Sequence, residues 1–408
     1  MSETQPQRFI GLDIHKHYCV ATGVNADLEQ VFGPQRIANS KMASWAKKHL
    51  TPYDAIVLEM TTNTYKVHDM LVDQVHSVTV VHPPHVALIA RAKVKTDKKD
   101  SLVLARLHAG GLLPAVWIPP QDVRDQRTLV AERWKMVRLR ATAKNRLHSI
   151  LHRFQIVPPG QGYLFAQKKR DWWDNLPLPE TEKTIVKSYL ATLDFAQQQV
   201  ELFESRLKEL AAADARMPLL AQLPGISLIT GMTLLAAIGT IERFPSAKHL
   251  VGYAGLGSSV DQSGTKYRTG RITKTGRKDL RHAMVEAARI AAQSHPKWQA
   301  EYDRLSPRIG RNKAIVAIAR KLLEAVWHIL TKREADRFAD PRRVALTLYN
   351  LGYKLGTANL PEKNVRQFVR NRLDDLGIGA DLEHFPYGKK KFVTLPPSRL
   401  SDWDKKQI

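Results

Sequence analysis

At 408 residues the chain is long enough for two or three domains with cores of their own. Its 63 Lys and Arg against 39 Asp and Glu give a formal net charge of +24, which suits a phosphate-backbone partner but also nonspecific binding to acidic surfaces. The single cysteine, Cys19, excludes an intrachain disulfide and a cysteine-based zinc site. The first residues carry no basic-then-apolar signal pattern, and the most apolar stretch, 226–238, is shorter than a membrane span, so no membrane association and a reducing, cytoplasmic location are expected.

Residues 8–110 read as alternating strands and helices. Phe9–Asp13, Tyr18–Val24 and the stretch after Gln30 predict three strands joined by short turns. Ala55–Glu59 and Val78–His82 predict two further buried strands. Helical spacing falls at Ser40–Leu50, Tyr65–Val75 and Lys98–Gly110. Three hairpin strands followed by strand–helix alternation describe a mixed sheet flanked by helices, in the order of a ribonuclease-H-like fold. Pro119-Pro120 closes this region.

Residues 121–155 predict one long helix with an apolar stripe of Val130, Trp134, Val137, Ala141, Leu147, Leu151 and Phe154. Its other faces are basic, and Arg138, Arg140 and Lys144 are read as nucleic-acid contacts rather than a solvated face, because so few acids interrupt the run. The pair Trp172-Trp173, among Lys168, Lys169 and Arg170, suits either stacking on unpaired bases or ordinary packing. From Val186 to Leu210 the spacing is heptad-like, which predicts either a dimerising coiled-coil arm or packing on the 121–155 helix. Leu223-Pro-Gly-Ile226 before an apolar helix resembles a helix-hairpin-helix, in which backbone N–H groups take a phosphate. A polar Gly/Ser-rich loop is expected at 258–276, helices at Lys278–Gln293 and Lys313–Lys332, and a basic extension of weak periodicity from 335 onward.

Four acids carry the chemistry. Asp13 and Glu59 end apolar strand runs, and Asp97 and Asp100 lie three apart at a helix start, where they share one face. Each alone reads as a turn, strand-end or N-cap residue. Together they form a cluster able to hold Mg²⁺ and act on phosphodiesters, since hard cations prefer carboxylate oxygens. Lys95, Lys98 and Lys99 flank the helical pair and would steer phosphate. The second constellation lies at 258–277, where Ser258, Ser259 and Ser263 stand near Lys266, Arg268, Arg271, Lys274 and Arg277. These residues suit an activated serine nucleophile or a phosphate-gripping loop with no covalent role.

The ordered set Gly11-Leu-Asp-Ile-His-Lys16, Leu58-Glu-Met-Thr61, Lys95-Thr-Asp-Lys-Lys-Asp100, Leu223-Pro-Gly-Ile226, Tyr253-Ala-Gly-Leu256, Ser263-Gly264 and Gly270-Arg-Ile-Thr-Lys-Thr-Gly276 resembles the DEDD-type transposases of the insertion sequence one-ten family, the bridge-RNA-guided recombinases. The chain departs from the family's pattern after Glu59, where Met-Thr-Thr-Asn replaces Ala-Thr-Gly, and in its long extension.

The resemblance implies a RuvC-like α/β domain over 1–118 with Asp13, Glu59, Asp97 and Asp100 as its metal tetrad. It implies a transposase domain over 215–333 whose nucleophile falls on Ser263. A basic helix and coiled-coil arm over 119–214 would join them, and a basic extension would follow over 334–408. The mostly helical C-terminal half, the cofactor Mg²⁺, the partners DNA and a noncoding bridge-type guide RNA, a homo-oligomer (dimer or tetramer) and a nucleoid-associated bacterial setting complete the expectation. The alternatives are a RuvC-like Mg²⁺-dependent Holliday-junction endonuclease that uses water, and a non-catalytic nucleic-acid-binding protein.

Overall fold

The computed structural model describes residues 5–84, 86, 96–160, 162–388 and 391–400. Lys95, expected to contact nucleic acid, lies outside them, as do Lys389 and Lys390. The chain divides into two compact units, Met1–Pro120 and Gln121–Ile408.

The first unit runs β1 (Arg8–Ile14), β2 (Tyr18–Val24), β3 (Gln30–Ala38), α1 (Met42–His49), β4 (Asp54–Glu59), α2 (Thr64–Leu71), β5 (Ser77–Val81) and α3 (Asp97–Ala109). Its sheet has the order β3-β2-β1-β4-β5, with β2 antiparallel to both β1 and β3, β4 parallel to β1, and β5 parallel to β4. The pleat sends Ile10, Leu12, Ile56, Leu58 and Val80 into one core with Met42, Trp45, Val67 and Leu71 of the α1–α2 layer. The opposite face buries Val57 and Val81 with Leu104 of α3. Arg8 fixes the start of the parallel pair, donating to both Asp54 oxygens at 2.6 and 2.7 Å.

Helix α3 crosses β1 at Gly11. A Cβ there would stand 2.1 Å from the Ser101 carbonyl oxygen and 2.7 Å from the Ala105 nitrogen, so only glycine lets the helix backbone come this close. Ser101 Oγ and Thr22 Oγ1, 2.8 Å apart and buried, pin the same crossing.

The second unit opens with α4 (Gln121–Arg153), α5 (Arg170–Asp174) and α6 (Glu180–Ala213). Helices α4 and α6 pack antiparallel, joined by Arg133–Glu204 at 2.6 Å, Arg140–Gln197 at 2.6 Å and Arg153–Glu182 at 2.6 Å. Of the two readings of the heptad run, packing on the 121–155 helix is therefore realised. The expected stripe errs at Ala141, which is exposed; Ala143 and Ile150 are buried instead.

Next come α7 (Arg216–Ala221), α8 (Leu228–Ile238), α9 (Ala247–Tyr253), a β6 (Ser258–Ser263)–β7 (Lys266–Ile272) hairpin, α10 (Lys278–Ser294), α11 (Pro296–Ile309), α12 (Arg311–Lys332), α13 (Pro341–Leu355), α14 (Val365–Asp375) and a second hairpin, β8 (His384–Tyr387)–β9 (Lys391–Thr394). The polar loop expected at 258–276 is thus mostly a hairpin. The extension is not a loose basic tail: Leu348, Phe368, Val369 and Phe385 enter the same core as Leu234 and Leu322. Arg370, only 2% exposed, clasps its end by donating to the carbonyls of Pro396 and Gly379 at 2.8 Å each. Among the described residues no helix is long and apolar enough to cross a membrane.

Candidate metal centre and nucleic-acid interface

Asp13 lies two residues beyond Gly11, so the strand pleat turns it to the face that α3 covers. β1 and β4 pair in parallel up to Leu12 with Leu58, and Asp13 and Glu59 follow as the next residues of the two strands. Helix α3 begins beside them. Its N-cap is Thr96, whose hydroxyl accepts from the Lys99 amide at 3.3 Å. Asp97 is therefore not the cap and keeps both carboxylate oxygens for other partners.

Three donors converge here. His15 Nε2 lies 3.2 Å from Asp13 Oδ2 and 3.5 Å from Asp97 Oδ2. One ligand atom from each of Asp13, His15 and Asp97 falls within 4.8 Å of the others. Tyr18 Oη donates to Asp97 Oδ2 at 2.9 Å. Asp100 and Glu59 stand outside this close group, although Asp100 acts on Asp13 through its charge. Burial pushes the Asp13 carboxyl above its ordinary range; His15 opposes the shift, and Asp97 and Asp100 add to it.

That excess of negative charge, held on hard oxygen donors, is what a divalent cation relieves, and the residues fit one. The contrast with Asp54 is instructive: it is fully buried, yet Arg8 takes both its oxygens and leaves nothing for a ligand. Cys19, nearby on β2, is no candidate, since burial and then Asp13 push its thiol up to about 12.

Sequence reasoning missed His15 and Tyr18. The signal for His15 was its place two residues after Asp13, which puts both on one face. Tyr18 became a partner only through the turn that pairs the His15 amide with the Tyr18 carbonyl at 2.8 Å.

Ser263 belongs to the second unit. It ends β6 opposite Lys266, and Asp261 pairs with Arg268, so hydroxyl, acid and two cations line one exposed face of the hairpin. Gly264 makes the turn at φ +56°. Ser259 differs from Ser263, since its hydroxyl donates to the Arg271 carbonyl at 3.2 Å. Arg271 and Lys274 are exposed, whereas Arg277 is committed to Asp279, with one bond of 2.9 Å.

The other expected contacts divide in the same way. Lys98, Lys99 and Arg138 are exposed. Arg140 is taken by Gln197, and Lys144 Nζ sits 4.7 Å over the Tyr163 ring. Trp173 is a packing anchor, 1% exposed and stacked on Phe165 at 5.8 Å.

Two family models match the chain. One, for DEDD transposases, covers residues 10–156; the other, "Transposase IS116/IS110/IS902 family", covers 217–303. The pilin gene-inverting protein of Moraxella bovis is 28% identical over 336 residues, 79% of this chain and 95% of that protein. The putative transposase y4qE of Sinorhizobium fredii is 24% identical over 81% of this chain and 80% of that one. The transposase for insertion sequence element IS1111A of Coxiella burnetii is 24% identical over 63% and 72%.

A mixed α/β unit with clustered acids, followed by a helical unit, is on these matches a transposase. The chain belongs to the IS110 family of DEDD transposases.

Proposed function

We propose that the chain is an RNA-guided DNA recombinase that excises and inserts a mobile element through a Mg²⁺-dependent serine reaction. The convergence of Asp13 and Asp97 at the strand ends of a five-stranded sheet carries this reading. The sheet, on this reading, is that of a ribonuclease-H-like, RuvC-like nuclease. On this reading Asp13, Glu59, Asp97 and Asp100 hold the cation, with His15 between two of them. Bound there, Mg²⁺ supplies neutralisation and polarisation of a phosphate oxygen. Tyr18 orients Asp97, while Lys98 and Lys99 draw phosphate toward the acids.

Ser263 is the nucleophile in this scheme. Its Oγ–P bond forms as a deoxyribose O–P bond breaks, and the serine proton ends on the released deoxyribose hydroxyl. No water is consumed, so the phosphoserine ester keeps the bond energy for rejoining. Lys266 and Arg268, on the same face of the hairpin, stabilise the charge on phosphorus during the exchange.

Residues 1–118 act as the catalytic domain, 119–214 as a basic arm, 215–333 as the transposase domain with its helix-hairpin-helix-like α7–α8 turn, and 334–408 as an appended segment. A noncoding guide RNA and a dimer or tetramer of the chain complete the cytoplasmic, nucleoid-associated assembly, since strand exchange needs more than one active site.

The test is a DNA substrate that traps a cleaved intermediate. Mass spectrometry should find DNA joined to Ser263, lost in Ser263→Ala and kept in Ser258→Ala, and a discrete RNA should copurify with the active protein. Cleavage by Mg²⁺ without any adduct would replace this reading with a water-using junction endonuclease.

A further inference from the structure

The segment after the family-matched region carries a surface that the reaction above does not use. Tyr349, buried on α13, is packed edge-to-face by Tyr353, Tyr387 and Phe385, with centroids 4.9, 5.3 and 5.5 Å away. Its hydroxyl lies 3.2 Å from that of Tyr353. Phe385 is buried, but Tyr353 is 59% exposed and Tyr387 41% exposed. Rings this open, yet fixed in orientation by Tyr349, lose little freedom on binding a flat partner.

The surrounding charge selects the partner. Residues 341–400 hold eleven Lys and Arg against five acids. Three of those acids, Glu362, Asp374 and Asp375, are taken by Arg370, Arg372 and Arg399. The other two, Asp381 and Glu383, precede β8 at the open end of the hairpin, away from its Tyr387–Lys391 tip. Lys354 follows Tyr353 and is exposed, Lys391 pairs across the hairpin with Tyr387, and the charge of Arg366 reaches Tyr349. Exposed aromatic faces interleaved with cations suit unpaired bases on a phosphate chain, because every base offers a π-face and every nucleotide a negative charge. An acidic protein surface would pair with the lysines but leave the ring faces without stacked partners, and duplex DNA hides its base faces.

We propose that Tyr353 and Tyr387, with Lys354 and Lys391, form a platform that stacks the bases of single-stranded DNA opened during strand exchange. The proposal rests on membership in a transposase family and not on the acidic centre or Ser263.

The experiment uses the full-length protein and a single-stranded oligodeoxynucleotide carrying 5-iodouracil, which couples on irradiation to aromatic rings stacked against it. Adducts mapped to Tyr353 or Tyr387 are expected. Tyr353→Ala and Tyr387→Ala should each weaken binding of the oligonucleotide by about tenfold, the range set by loss of one stacked base. Tyr353→Phe keeps the ring and should retain coupling even if alanine loosens the fold. An abasic competitor of equal length should fail to displace the probe. Adducts confined to other regions, equal competition by the abasic strand, or stronger coupling to the matching RNA than to DNA would overturn the assignment.

Discussion

Tyr18 Oη donates a 2.9 Å hydrogen bond to Asp97 Oδ2, tying the first residue of β2 to the first residue of α3. The Arg36 guanidinium lies 3.7 Å over the same ring and holds it in place. Asp97 is thereby held beside Asp13 and His15. Tyr18→Phe keeps the ring and removes only the bond. It should weaken Mg²⁺ binding, read as the midpoint of a Mg²⁺ titration of melting temperature, by roughly 10–100-fold, as loss of an outer partner of a metal ligand does. An unchanged midpoint would reduce Tyr18 to packing.

Asp13 makes the opposite kind of prediction, a gain in stability. Its carboxyl is raised by burial and by Asp97 and Asp100, so keeping it ionised without a cation works against folding. Stability linked to this group declines as pH rises through its shifted range. Asp13→Asn should therefore melt about a few degrees higher than wild type in EDTA at neutral pH. Wild type should gain stability on adding Mg²⁺ and Asp13→Asn should not. A variant that melts lower in EDTA would mean that Asp13 is held by favourable contacts instead.

Gly11 tests the crossing that brings α3 to β1. Alanine there must push the Ser101 and Ala105 backbone aside, at a cost of about 1–3 kcal/mol. Because α3 carries Asp97 and Asp100, strand cleavage by Gly11→Ala should fall further than its folded fraction does. Denaturant melts and cleavage assays on one preparation separate the two effects.

Buried Glu301 on α11 supplies a pH dependence far from the acidic centre. Hydrogen bonds from Arg304, at 2.8 Å, and Lys321 hold its carboxyl down to about 2. The sign is that of a depressed acid: the stabilisation is full above the ordinary glutamate range and disappears as pH falls toward 2. Glu301→Gln should unfold at lower urea than wild type at pH 7, with the gap closing by pH 2. A gap of constant size would assign the loss to packing.

Much of the first unit was legible because its strands bury alternate residues. Ile10 and Leu12, then Ile56 and Leu58, announce a sheet with one face on a core, and the three-residue step from Asp97 to Asp100 announces a shared helix face. His15 was only partly legible: its two-residue step from Asp13 stands in the sequence, but the turn that sets it between two carboxylates distant in sequence does not. The β6–β7 hairpin escaped for a different reason. Its strands are almost wholly exposed, so they carry no apolar alternation to read. Helix α13 was within reach: Asp340 caps it, Pro341 opens it, and Val344, Leu348, Leu351 and Leu355 repeat at helical spacing, but the basic residues around them drew the reading toward a tail.

The paired helices α4 and α6, of 33 and 34 residues, are each roughly 50 Å long at 1.5 Å per residue. One end is rooted in the large core through Val130, Leu207 and Ala211, and the other is closed by its own core around Trp173. A helix pair rooted at one end and stitched to itself at the other does not splay along its length. It behaves as a lever: a tilt of about five degrees at the root carries the Trp173 end through roughly 4 Å, more than the 3.4 Å that separates successive base pairs. Small adjustments among the helices at the root are thereby converted into steps of nucleic-acid size at the tip.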